Sequence, residues 1–106
     1  MNYWDVEYTT EAAKDRDTLD ISARNQVYKA IRKVSQNPLP KNEGGYGEPL
    51  GNKHGGNLTG LCKIKLLKLG IRVVYKVVRT DNIMRIIVIA ARADDEVYEL
   101  VAGRVN

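Results

Sequence analysis

The 106-residue sequence predicts an α+β fold: an N-terminal strand, a two-helix hairpin packed on a small antiparallel sheet of about four strands, and a C-terminal helix. Three observations carry this expectation. Ala23, Val27, Ala30, Ile31 and Val34 recur at helical spacing and stop at Asn37-Pro38. Three apolar runs, about residues 61–67, 71–78 and 83–91, then follow one another across short turns, as antiparallel strands do. Seven of the nine glycines lie between Pro38 and Gly60, so an irregular connection separates the helical half from the sheet half.

Each element has a local reason. Trp4, Val6 and Tyr8 alternate in a short first strand, residues 3–8. Thr9 or Thr10 caps the first helix, and Glu11 in its first turn is favoured by the helix dipole. That helix runs to about Leu19, and Asp20 reads as the cap of the second. Pro38 lacks an amide and disfavours helix in the residue before it, so the second helix ends there. Residues 68–70 and 79–82 are turns, with Gly70 able to take a positive φ. Residues 95–105 read as a terminal helix, with Val97, Leu100, Val101 and Val105 on one side. Residues 1–106 make one domain with helices on one sheet face.

Charge points to a partner. Lys and Arg number 17 against 13 Asp and Glu, a formal charge of +4. The placement says more than the total. Between residues 49 and 79 no acid occurs, while Lys53, Lys63, Lys65, Lys68, Arg72, Lys76 and Arg79 do. Alternation puts Lys63 and Lys65 on one strand face and Cys62, Ile64 and Leu66 on the other. Like charges in this register repel, so the face suits a polyanion. Arg72 joins it if the hairpin loop has an even number of residues, and a bulged three-residue loop turns Arg72 away. Both registers are compatible with the sequence. Lys68, Lys76 and Arg79 read as ordinary surface charges.

Several chemistries drop out. His54 is the only histidine, so a two-histidine acid–base pair is impossible, and no positioning motif accompanies it for nucleophilic catalysis. One His, one Cys and scattered carboxylates form no metal-ligand pattern, and no cofactor fingerprint is present. Cys62 is a core or edge filler, though its cationic neighbours would lower its pKa. The N-terminal residues lack the pattern of a secretory signal, and the apolar run 83–91, broken by Arg85, is too short to span a bilayer. A soluble, cytoplasmic protein is expected. Cations alone can cleave RNA: a lysine crowded by like charges has a lowered pKa and serves as base, while arginine grips phosphate oxygens. A tyrosine can stack on a base. Lys63, Lys65, Arg72, Arg92 and Tyr98 supply these parts.

The segments Leu58-Thr59-Gly60-Leu61-Cys62-Lys63-Ile64-Lys65-Leu66, Gly70-Ile71-Arg72-Val73-Val74-Tyr75 and Arg92 through Val97-Tyr98 resemble the RelE branch of the RelE/ParE toxin superfamily. The N-terminal strand and the helical hairpin, with Lys14-Asp15, Arg24 and Asn37-Pro38, agree with it. The resemblance implies the toxin of a type II toxin–antitoxin system: a metal-independent endoribonuclease cleaving mRNA in the ribosomal A site and bound by an antitoxin. It implies active-site lysines at Lys63 and Lys65, with Lys65 the general base. Arg72 would stabilise the transition state, Arg92 act as acid or phosphate ligand, and Tyr98 stack near the scissile nucleotide. Lys53 and Lys68 are expected RNA contacts. Cys62, Ile71 and Leu67 depart from the family's usual residues at their positions. The alternative is a ParE-like, non-enzymatic gyrase inhibitor of the same fold, whose members generally lack the paired lysines and the Arg-to-Tyr set.

Overall fold

The structure, a computed structural model, describes residues 3–51 and 58–105. Its elements in order are β1 (Asp5–Tyr8), α1 (Thr10–Asp17), α2 (Ile21–Ser35), a 3-10 turn (Lys41–Glu43), β2 (Glu48–Gly51), β3 (Leu58–Leu66), β4 (Ile71–Val78), β5 (Ile83–Ala90) and α3 (Asp94–Val105). The expected helix starts are realised by side-chain caps. The Thr9 hydroxyl accepts from Ala12 N at 3.1 Å, and the Asp20 carboxylate accepts from Ala23 N at 2.8 Å.

The strands form a single five-stranded sheet, ordered β1-β5-β4-β3-β2. Two features differ from the antiparallel, roughly four-stranded expectation. β1 runs parallel to β5, pairing Asp5 with Ile83 and Tyr8 with Ile86. A tight turn forces its two strands antiparallel, but β1 and β5 share no turn, so strand pattern alone leaves their direction open. The fifth strand, β2, arises inside the glycine-rich connection. Pro49 and Gly51 mask its pattern, yet proline is tolerated on an edge strand, where β2 pairs with β3.

The sheet is covered on both faces, not one. On the first, Ala12, Ala23, Val27, Ile31 and Val34 of the helical hairpin pack over Cys62, Val73, Tyr75, Met84 and Ile86. On the second, Val97, Tyr98 and Val101 of α3 pack over Leu50, Leu61, Val74, Ile87 and Val88. The reason lies in β4 and β5. Val73-Val74-Tyr75 and Ile86-Ile87-Val88-Ile89 are buried without interruption, which requires cover on both sides. Two further contacts fix the frame. Arg79 makes a bidentate pair with Glu43 at 2.8 and 2.7 Å, and the Tyr75 hydroxyl donates to Pro38 O at 2.8 Å.

Candidate active site

The β3–β4 hairpin decides whether the basic residues meet. Leu66 pairs with Ile71 and Lys65 with Arg72, leaving four residues in the loop, with Gly70 at φ 66°. Leu69 N and Gly70 N donate to Leu66 O and Leu67 O, closing the turn. An even-residue loop keeps Arg72 on the face of Lys63 and Lys65. This is the α3 side of the sheet.

There the three cations converge on one carboxylate. Asp94, the first residue of α3, lies 2.8 Å from Arg72 Nε, 3.4 Å from Lys65 Nζ and 3.5 Å from Lys63 Nζ. Arg72 also donates to Gly70 O at 3.3 Å, which orients its guanidinium. The arginine's hydrogen bond leads in holding the Asp94 carboxyl below its ordinary value, with the charges of Lys63, Lys65 and Arg72 adding to it.

Lys63 is the deepest member, 6% exposed. Its ammonium donates to the Tyr98 hydroxyl at 2.5 Å and stands 5.0 Å from the centre of that ring. Burial pulls its pKa down, but the bond to Tyr98, with Tyr98, Asp94 and Glu48 favouring the charged form, outweighs burial. Lys63 is therefore held above the ordinary lysine value. Crowding by cations suggested the reverse, and it overlooked the two partners that α3 brings.

The remaining expected residues are placed differently. Tyr98 is 5% exposed and packed in the α3-side core, so its ring faces no open surface on which a base could stack. Arg92 stands just before α3, its guanidinium 3.6 Å from Glu96 one turn on. It lines a cleft with Asp15, Leu19, Ile89 and Leu100, whereas Lys63, Lys65 and Arg72 meet at Asp94. Lys68 is exposed at the tip of the hairpin beside this end of the sheet. Lys53 and His54 lie outside the described residues. Cys62 is 1% exposed on the opposite face from the lysines, and burial pushes its thiol up rather than down. Among the described residues, no three His, Cys, Asp or Glu side chains gather where they could hold a metal ion.

Sequence reasoning missed Asp94. Within Asp94-Asp95-Glu96 it reads as one of several acids that suit a helix N-terminus, and only the tertiary contacts single it out. It also missed the opposite end of α3. Arg104 bonds Asp15 at 2.6 and 3.2 Å and donates to Ile87 O at 2.9 Å, while Asp15 accepts from Ile89 N at 3.0 Å.

Solved structures share this arrangement of elements. The isolated E. coli RelE toxin superposes with a TM-score of 0.70 at 22% identity, covering 97% of this chain and 99% of that one. A double arginine-to-alanine mutant of E. coli RelE in the free state gives 0.75 at 24% identity, covering 99% and 100%. The RelBE2 toxin–antitoxin complex of Mycobacterium tuberculosis gives 0.68 at 23% identity, covering 89% and 97%. The chain has the RelE fold. No family sequence model matches it, and no curated protein matches it in sequence. At these identities the likeness to RelE is one of fold. No helix among the described residues is long and apolar enough to cross a membrane.

Proposed function

We propose that this chain is the toxin of a type II toxin–antitoxin system, an endoribonuclease that cleaves mRNA in the ribosomal A site without a metal and so stops translation. The observation that carries the reading is the convergence of Lys63, Lys65 and Arg72 on a single oxyanion, the Asp94 carboxylate. A phosphodiester is also an oxyanion, and its transition state gathers more charge on the same oxygens. Structural neighbours that are RelE toxins, alone or bound to antitoxin, support the assignment of the class.

The chemistry follows from the positions. Lys65 takes the proton of the 2′-hydroxyl, the 2′-oxygen bonds to phosphorus, and the 5′-oxygen leaves, giving a 2′,3′-cyclic phosphate. Arg72, always charged and planar, holds the non-bridging oxygens. Lys63, kept protonated by Tyr98 and Asp94, serves as a fixed positive charge rather than a base. Arg92 takes the role the family resemblance implies, a phosphate contact or acid; Tyr98, buried with its hydroxyl on Lys63, acts by holding that ammonium, and the stacking role the resemblance implies requires its ring to become exposed. Lys53 and Lys68 contact RNA. The partners are a cognate antitoxin, through which larger complexes form, and the ribosome with its mRNA in the cytoplasm. The 1–106 unit acts as one domain.

The test is brief expression in bacteria with mRNA ends mapped while translation is on or blocked. Cuts within codons that require translation, and that vanish in Lys65→Ala, are expected. Intact mRNA accompanied by DNA damage would instead support gyrase poisoning by contact. Full growth inhibition by both Lys65→Ala and Arg92→Ala would sink the ribonuclease assignment.

A further inference from the structure

Asp94 reaches three cations from a different element than the strands that carry them. Lys63 and Lys65 lie on β3 and Arg72 on β4, with Lys65 directly opposite Arg72 in the ladder. Like charges in that register repel, so the pair would splay apart without a counter-ion between them. Asp94 supplies one. Its Oδ1 accepts from Arg72 Nε at 2.8 Å, and its Oδ2 faces Lys65 and Lys63 at 3.4 and 3.5 Å. The helix sets its place, since Val97 and Tyr98, 0% and 5% exposed, seat this end of α3 on the sheet.

A guanidinium has five donors and an ammonium three. Arg72 commits Nε to Asp94 and one Nη1 hydrogen to Gly70 O at 3.3 Å, which leaves one hydrogen on Nη1 and both on Nη2. Lys65 has two donors beyond the one turned to Asp94. The side chains of Arg72 and Lys65 are 21% and 31% exposed, whereas that of Lys63 is 7% exposed. We propose that Asp94 is a positioning residue: it fixes the Arg72 guanidinium beside the Lys65 ammonium, so that their remaining donors grip the scissile phosphate next to the carboxylate, with α3 in place throughout. The identity of the anion as a scissile phosphate rests on the ribonuclease reading above, whereas the clamp rests on geometry. A fixed negative charge beside the seat opposes the substrate in the ground state, yet it holds the donors aligned for the transition state. Binding and rate should therefore respond in different ways when it is removed.

The measurement is single-turnover cleavage of mRNA on programmed ribosomes with the full chain in excess, giving the rate at saturation and the half-saturating concentration. Asp94→Asn keeps the shape of the side chain and removes its charge. It is expected to lower the saturated rate by roughly tenfold to a hundredfold, the loss that follows a misplaced reacting group. Its half-saturating concentration is expected to stay level or fall, by at most about fourfold, because a like charge about 5 Å from a phosphate weakens binding only that much in water-like surroundings. Asp94→Glu, which keeps the charge on a longer stem, recovers part of the rate. An unchanged saturated rate in folded Asp94→Asn overturns the proposal. So does a raised half-saturating concentration, which would mark a damaged site rather than misaligned donors.

Inorganic sulfate, titrated into the parent chain and followed by NMR, separates docking beside the carboxylate from replacement of it. The Arg72 Nη and Lys65 Nζ signals are expected to move, while the Arg72 Nε–H signal stays protected from solvent exchange at saturation. Sulfate that leaves the Nη signals unmoved, or that unprotects Nε–H, overturns the proposal. A parent chain that cleaves no translated mRNA removes the ribonuclease reading, and the sulfate titration then decides by itself whether the carboxylate holds the guanidinium for an incoming anion.

Discussion

Replacing Tyr98 by phenylalanine removes one oxygen atom and asks how a buried ammonium is held. Lys63 has 7% of its side chain exposed, donates to the Tyr98 hydroxyl at 2.5 Å and has Asp94 at 3.5 Å. A hydrogen bond to a charged group contributes about 1.5–3 kcal/mol, and losing it leaves the ammonium short of a partner. The nearby carboxylate offers partial relief, which places Tyr98→Phe toward the lower end, about 1.5–2 kcal/mol. For a domain near this size that is a fall in Tm of roughly 6–16 °C. Denaturant titration and scanning calorimetry measure it, and a double-mutant cycle isolates it. In a Lys63→Met background, with no ammonium to satisfy, Tyr98→Phe should cost less than about 0.5 kcal/mol. The pH dependence gives a second handle. Because the folded-state value of Lys63 is raised, its charge contributes stability that is full below the unfolded value, about 10.4, and is lost as pH rises through the folded one. Without the Tyr98 hydroxyl the folded value falls, so the contribution is smaller and is exhausted at lower pH. An equal cost of Tyr98→Phe in both backgrounds would refute the reasoning.

Three other outcomes follow from the geometry. A Cβ at Gly47 would stand 2.4 Å from the Tyr75 hydroxyl oxygen and 2.9 Å from Cys62 Sγ and Pro38 O, so Gly47→Ala should lower stability by about 1–3 kcal/mol in urea titration. Asp15→Ala strips partners from Arg104 and from Ile89 N, and should cost about 2–4 kcal/mol while exposing the α3-side amides to hydrogen exchange before the rest of the sheet. The lowered Asp94 value means its clamp on the cations is full above the usual aspartate range near 3.9 and fades as pH falls through the folded value. Exchange of the first-turn amides of α3 should therefore quicken selectively on acidification below about pH 4, whereas in Asp94→Asn it should already be fast at neutral pH.

What the sequence revealed was local or pairwise. Thr9 and Asp20 announce their helices because capping needs only three residues, and the β3–β4 pairing follows from alternation on either side of a short turn. The direction of β1 depends on a neighbour 78 residues away, with Glu7 set beside Arg85, and no local pattern encodes it. β2 was hidden because proline and glycine suppress the strand signal, although both fit an edge. The second covered face was legible in principle in the unbroken apolar runs of β4 and β5. At the site, Lys63 and Lys65 were found by alternation, while the face of Arg72 stayed open until the four-residue loop set the register. Asp94 was missed, since its charge suits a helix start equally well. The same omission reversed the expected shift of Lys63. Arg92 came from resemblance, and its position beside Glu96 reflects the start of α3 rather than the strand that precedes it.

The clasp at the far end of α3 has a consequence for the sheet edge. β1 spans only Asp5–Tyr8, shorter than the Ile83–Ala90 strand it borders. Past Tyr8, the Asp15 carboxylate and the Arg104 guanidinium take up Ile89 N and Ile87 O, groups that would otherwise invite a strand from another molecule. The last turn of the terminal helix is thus a guard against self-association. Trimming it would do more than shorten a helix: it would open a sticky edge, and the first symptom would be aggregation of an otherwise folded chain.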